Sequence, residues 1–365
     1  MNTTINIIIF GIGNVGSTLV DQIIEKHDFF KEKFKVNLRI PIVCNSKFAL
    51  FTKKPLPLNW VDEFKSLSQN YVVEDIYDYV LQNELENVIA VDVTADEGIV
   101  TNYIPFIQNN FNIVAANKKA NTLHSDFYKE LRRVLDRKEK HFLYETNVGA
   151  GLPVINTIQD LYLAGEKITK IRGVFSGTIS YIFNRFGNEN ISFSKILIEA
   201  EKLGLTEPDS REDLSGKDVA RKLLILSREL DLSNEFEDVK ITSLTTEKID
   251  GLSKRNYSIS KELLDKDYEI AKITQSENHV LRYVGELDVL QNNLEVKLVS
   301  VPIQSALGQL KGADNLIEIF TESYGDIPIV IQGAGAGKKV TARGVLSDII
   351  KIAKQFKSKK QLLEV

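Results

Sequence analysis

One cysteine, Cys44, in 365 residues excludes an intrachain disulfide and leaves no thiolate pair for a metal. It lies in the apolar run "RIPIVCN", where a buried core thiol is the expected role. Histidine is scarce too. His27, His124, His141 and His279 are scattered without ligand spacing, so zinc-assisted alcohol oxidation has nothing to hold its metal. Neither charge sign dominates: 46 Lys and Arg against 50 Asp and Glu leave −4, which argues against a nucleic-acid partner. The basic end "KIAKQFKSKK" continues a helical pattern and reads as a solvated helix face. The opening "INIIIFGIG" is too short to span a bilayer and follows no basic leader, so a cytoplasmic protein without membrane contact is expected. Repeats, low-complexity tracts and Pro/Ser-rich linkers are lacking as well. The length leaves room for two domains, each with its own core.

What is present begins with "INIIIFGIGNVGSTLVDQII": branched apolar residues, then Gly11, Gly13 and Gly16, then a helical pattern. Strand before and helix after is the context in which GxGxxG binds a dinucleotide. Gly11 permits the tight turn, Gly13 lets backbone approach a pyrophosphate, and Gly16 lets the helix pack on the strand. The next strand, "LRIPIVCNSK", ends in Asn45, Ser46 and Lys47 rather than an acid. No carboxylate there repels a 2′-phosphate, and a hydroxyl plus a cation suit one, so NADP is favoured unless Lys47 is simply a surface lysine. "NVIAVDVT" and "NIVAAN" read as further buried parallel strands, which puts Thr94, Asn117 and Lys118 at the carboxyl edge where ligands bind. "ANKKA" has two readings, a helix start with solvated lysines or an active-site lysine. "HFLYETNVGAGLP" is a strand running into a glycine-rich bend.

From Pro153 onward the pattern changes to helices and antiparallel strands, an α+β domain. Pro153 suits a first helical turn, and Gly165 and Gly204 suit helix ends. "HVLRYVGELDVLQNNLEVKLVSVP" reads as two strands around a polar turn. The last stretch, "IPIVIQGAGAGKKVTARGVLSDIIKIAKQF", is strand, glycines, helix. It is either a second phosphate cradle or a segment returning to the first domain, with Gly337 approaching the cofactor and Val345, Ile349, Ile352 and Phe356 on one helix face.

"LTEPDSREDLSGKDVARKLLIL" crowds five acids and four bases ahead of an apolar helical run. Ser215 to Asp218 fits a capping box, and Asp218 with Lys222 fits a helix-surface ion pair contributing roughly 0.2–0.5 kcal/mol. The same spacing puts a carboxylate and an ammonium on one helix face. Glu207, Asp209, Glu212 and Asp213 precede them and suit a cationic group. Without clustered histidine or metal, lysine is the remaining proton donor for an alcohol/aldehyde interconversion.

The chain resembles the homoserine dehydrogenase family over essentially its whole length. "GIGNVGS", "ANKKA", "ETNVGAGLPVINTIQDL", "GVFSGTISYIF", "LGLTEPDSREDLSGKDVARKLLIL" and "GAGAGKKVTARGVLSDII" stand in the family's order. The resemblance implies a Rossmann-type dinucleotide-binding domain over 1–152, a catalytic and dimerisation domain of α+β type over 153–337, and a helix over 338–365 returning to the first. It implies NAD(P)H-dependent interconversion of L-aspartate 4-semialdehyde and L-homoserine in threonine and methionine biosynthesis. The alternatives are another amino-acid dehydrogenase or a nucleotide-binding sensor without turnover. Carried over by motif, Ile12, Gly13, Asn14, Val15, Thr94, Lys118 and Gly337 contact the cofactor, and "NSK" resembles NADP-using members. Gly204 and Glu207 lie where cofactor meets substrate, with Glu207 on the substrate ammonium. By the same resemblance Asp218 is expected to bind or orient substrate, and Lys222 to be the acid/base with Lys118 as its rival. The resemblance further implies that Glu145 and the carbonyls of Val148, Ala150 and Leu152 bind a monovalent cation, Na+ or K+, in a structural role. The family forms homodimers through the second domain, for which the 279–302 strands are candidates. A regulatory ACT domain and a fused aspartate kinase are expected to be absent.

Overall fold

The opening apolar run forms β1 (Thr3–Phe10), buried along both faces except at Thr4, as a central parallel strand must be. The computed structural model describes residues 2–363, with side chains as far as residue 356. Two units emerge, Met1–Asn147 with Gly337–Val365, and Val148–Ala336.

In the first unit β1 is followed by β2 (Val36–Cys44), β3 (Phe48–Phe51), β4 (Gln69–Asn70), β5 (Val88–Asp92), β6 (Asn112–Ala115) and β7 (Phe142–Leu143). Among the described residues they form one sheet in the order β4-β3-β2-β1-β5-β6-β7. The pairs from β2 through β7 are parallel, as the apolar runs imply. β3 and β4 are antiparallel additions at one edge, and the sequence reading did not anticipate them. Neighbours of β1 lie on opposite sides, so the chain reverses between β1 and β5, and a crevice opens at their carboxyl ends. The helix Lys338–Leu363 belongs to this unit. Its Val345, Ile349 and Ile352 share a core with Ile7, Leu19 and Ile23. Beyond residue 356 the basic side chains expected on a solvated face lie outside the described residues.

The second unit contains β8 (Ile168–Val174), β9 (Val239–Ile241), β10 (His279–Asp288), β11 (Asn293–Pro302), β12 (Asp314–Thr321) and β13 (Ile329–Ala334). Among the described residues their order is β13-β12-β8-β10-β11-β9, antiparallel except where β9 meets β11. β10 and β11 pair with each other and with a further strand on their outer sides, so this hairpin lies inside the sheet, not at an edge.

The helix Lys217–Arg228 packs against β9, β10 and β11. The capping box expected at Ser215 does not form. Gly216 is the N-cap, with φ +73 and no side-chain cap, while Ser215 Oγ donates back to Glu212 O at 2.7 Å. The physical reason is a preceding helix, Arg211–Leu214, that ends only two residues earlier. A left-handed residue must join the two, and a Cβ there would fall 2.2 Å from Tyr283 Oη. Among the described residues no helix is long and apolar enough to cross a membrane.

Candidate active site

The candidate nucleotide cradle is built where β1 stops. Gly11 turns the chain at φ +96, and a Cβ on Gly16 would fall 1.9 Å from Gly11 O. The helix Asn14–Glu25 therefore starts hard against the strand end. Its N-cap, Gly13, provides no side chain to cap the helix, its first turn holds no acid, and a Cβ on Gly13 would meet nothing within 4 Å. Backbone N–H groups at a helix N-terminus, in open space and without a carboxylate, are a cradle for phosphate. The donor chemistry fits a dinucleotide. Ile12, Asn14 and Val15 lie in this turn and the start of the helix.

Beside it, Gly11 N–H donates to Cys44 O at 2.8 Å, so the end of β2 lies against the glycine turn. Asn45 follows. Its Oδ1 accepts the N–H groups of Lys47 at 2.8 Å and Phe48 at 2.7 Å, and Tyr71 Oη donates to its carbonyl at 3.0 Å. This closes the β2–β3 turn and leaves Ser46 and Lys47 exposed. Cys44 is buried, and its thiol is pushed up to about 12 by desolvation, consistent with an inert core residue.

On the other side of β1, Thr94 follows β5, and Lys118 follows Asn117 at the end of β6. Lys118 is half-buried and opens a short 3-10 turn in which its carbonyl accepts Asn121 N–H at 3.1 Å. Gly337 has φ +125 and immediately precedes the last helix.

The acid-rich segment lies in the second unit. The i,i+4 ion pair expected of this spacing forms, but with its lysine buried, since Lys222 is only 8 % exposed. Its Nζ donates to Phe175 O at 2.6 Å and pairs with Asp218 Oδ2 at 2.7 Å. Asn315 Nδ2 donates to the same Phe175 carbonyl at 3.2 Å. A buried ammonium paired with a carboxylate is costly to disrupt and fixed in direction. Upstream, Gly204 terminates the helix Phe193–Lys202 in a left-handed conformation, which turns the chain towards Glu207. Asp213 Oδ2 accepts Glu207 N–H at 2.8 Å. Burial pushes the Asp213 carboxyl up to about 6 against the pull of that N–H, and the charge of Glu207 adds to the rise.

The four acids upstream of Asp218 are not equivalent. Asp209 is taken by Arg211, bonded from Nε at 2.9 Å and from Nη2 at 2.6 Å, and that guanidinium holds its carboxyl below the usual range. Arg211 also donates to Leu252 O at 2.7 Å, so this pair ties down a loop. Glu207 and Glu212 are exposed and Asp213 is half-buried. Sequence reasoning missed Thr178, whose Oγ1 donates to Leu205 O, just ahead of Glu207. "GVFSGTISYIF" carries part of the family resemblance, but nothing in it singles out this threonine.

Glu145, expected to hold a cation, is buried. Its N–H donates to Asp348 Oδ2 at 2.9 Å, and Lys351 Nζ lies 3.9 Å from its carboxylate. Val148 is buried, Ala150 has φ +55, and Leu152 O accepts Val154 N–H at 2.9 Å. Among the described residues no three His, Cys, Asp or Glu side chains stand together as a metal site.

Residues 153–350 match the family model described as homoserine dehydrogenase, and residues 11–145 match the one described as homoserine dehydrogenase, NAD binding domain. A bifunctional aspartokinase/homoserine dehydrogenase of Buchnera aphidicola is 39% identical over 95% of this chain and 43% of its own. The chain thus spans less than half the length of that relative. A homoserine dehydrogenase of Schizosaccharomyces pombe is 35% identical over 98% of this chain and 97% of its own. A crystal structure of a Candida auris protein described as of unknown function is 31% identical, with TM-score 0.87 over 96% of this chain and 98% of that one. With both halves matched by these models, and a relative aligned nearly end to end, the chain belongs to the homoserine dehydrogenase family.

Proposed function

We propose that this chain interconverts L-aspartate 4-semialdehyde and L-homoserine with NADPH. The observation that carries this reading is Lys222, a buried ammonium held between Asp218 and the Phe175 carbonyl on a helix packed against the sheet. A nicotinamide dinucleotide in the glycine cradle supplies the hydride. The residues do the rest. Glu207 and Asp213 take the α-ammonium of the substrate, which orients it. As negative charge develops on the aldehyde oxygen, Lys222 stabilises it and delivers a proton there. Asp218 keeps that ammonium in place, and Lys118 is the rival for the same proton.

Donor chemistry supports NADP over NAD. A ribose 2′-hydroxyl calls for an acceptor, whereas a 2′-phosphate calls for donors. Asn45 Oδ1 is already engaged by two backbone N–H groups, and what remains in the turn is its amide NH2, the Ser46 hydroxyl and the Lys47 ammonium. A monovalent cation at Glu145 and the carbonyls of Val148, Ala150 and Leu152 belongs to the proposal on the same ground, since a carboxylate with carbonyl oxygens suits a hard cation. So does a homodimer through the second unit, checked by sedimentation of the purified protein.

The test is direct. Purified protein with NADPH and L-aspartate 4-semialdehyde should consume reduced nicotinamide and yield homoserine. NADPH binding without turnover would instead favour a sensor, and turnover of other amino-aldehydes alone a different dehydrogenase.

Asp213 gives this reading a pH signature. Its carboxyl, at about 6, is ionised above that pH and neutral below it. An ammonium ligand binds the ionised form, so KM for the semialdehyde should rise about tenfold as pH falls from 7.5 to 5, the worth of roughly 1.4 kcal/mol for one charged hydrogen bond. Asp213→Asn retains an acceptor for Glu207 N–H and should show the high KM at every pH. A variant that titrates like the wild type would remove Asp213 from the substrate site.

A further inference from the structure

We infer that Asp92 and Asn117 are positioning residues, a buried tie that holds the Thr94 and Lys118 loops in one arrangement for the dinucleotide. The inference rests on Thr94 and Lys118 being cofactor contacts. Asp92 closes β5 and is 1 % exposed, an ionisable group where the strand is otherwise apolar. Its two oxygens accept three donors. Thr94 N–H reaches Oδ1 at 2.8 Å, and Tyr103 Oη and Asn117 Nδ2 reach Oδ2 at 2.7 Å and 2.8 Å. Asn117 is buried too and uses both ends of its amide. Its Nδ2 also donates to Asp96 O at 2.8 Å, and its Oδ1 accepts Lys119 N–H at 3.0 Å.

These bonds span the two loops that follow β5 and β6. One side chain fixes the backbone of Thr94, the other fixes the residue after Lys118, and the two side chains bond to each other. The linkage extends to the glycine turn, because a Cβ on Gly11 would fall 2.8 Å from Thr94 Cγ2. Three loops at one sheet edge are thereby locked to a single point. A buried carboxylate surrounded by donors is an expensive way to stabilise a strand end, since apolar residues of the same shape do so without desolvating a charge. What it supplies is defined geometry at a ligand edge.

Two near-isosteric substitutions test the tie. Asn117→Asp replaces the donor to Asp92 by a second carboxylate, and Asp92→Asn sets two amide NH2 groups against each other while still accepting Thr94 N–H. Each should raise KM for NADPH ten- to hundredfold, with KM for the semialdehyde within about twofold. pH separates them. In Asn117→Asp the paired carboxylates share a proton as pH falls, which restores an O–H···O⁻ bond, so the NADPH defect should shrink towards pH 5 and grow towards pH 8. The groups facing Asp92, the Tyr103 phenol and the Cys44 thiol, have pKa values raised by burial and stay neutral over that range. In Asp92→Asn no proton is shared, and the defect should not follow that trend. An unchanged NADPH KM in both variants, or a general fall in kcat and both KM values with a lower melting temperature and no pH recovery, would overturn the tie. A wild-type chain that bound no NADPH by nicotinamide fluorescence would sink the dinucleotide reading and, with it, the role given to the tie.

Discussion

Lys222→Ala should lower kcat by about 10³–10⁴-fold while NADPH affinity, read by nicotinamide fluorescence, changes by less than about threefold. General acid catalysis by a placed side chain contributes roughly 10²–10⁴-fold, and a donor aimed at a developing oxyanion roughly 10²–10³-fold. In the proposed mechanism one ammonium does both, so the two effects do not multiply. The substitution also strips Asp218 and the Phe175 carbonyl of a donor at 2.7 Å and 2.6 Å, so some loss of stability is expected. Lys222→Met controls for this by keeping the buried stem and deleting only the charged end. If both variants lose turnover and the Met variant melts near the wild type, the loss is chemical. Lys118→Ala is the counterpart. A larger kcat effect there than at Lys222, with NADPH still bound, would move the proton to Lys118.

The legible parts of the molecule were those in which a residue type has one reason to be where it is. Gly11 and Gly16 announce a turn with a close approach, and the geometry requires both. Val345, Ile349 and Ile352 announce a buried helical stripe, and they enter the core with β1. Residues with several uses were harder to read. Ser215 suits an N-cap in isolation, but a preceding helix leaves only a left-handed joint at Gly216. Arg282 lies in "HVLRYVG", read only as a strand, yet it is buried and donates to the carbonyls of Leu307 and Gly308 at 2.9 Å. Asp209 and Asp213 stand four residues apart and read alike in sequence. One is taken by a guanidinium and the other has a desolvated carboxyl, and only the fold distinguishes them. Asp92 has the same character. An acid at the end of "VIAVD" is ordinary in sequence and becomes informative once its three donors are known.

Asn45→Asp should shift coenzyme preference by about 100-fold. The carboxylate has the shape of the amide and can accept the same two N–H groups, from Lys47 and Phe48, so the β2–β3 turn is retained. The only new element is a negative charge next to the strand end that Gly11 grips. Against a 2′-phosphate it costs on the order of 3 kcal/mol, since like charges brought together cost several, and each 1.4 kcal/mol is a factor of ten. Against a plain ribose it adds an acceptor for the 2′-hydroxyl, the arrangement by which dinucleotide folds select NAD. kcat/KM with NADPH should therefore fall about 100-fold, and kcat/KM with NADH should hold or rise. Asn45→Ala separates charge from shape, because it loses the turn and adds no charge, and it should weaken both coenzymes together. Equal use of NADPH by the Asp variant and the wild type would mean that the 2′-phosphate does not lie beside Asn45, and the NADP assignment would fall with it.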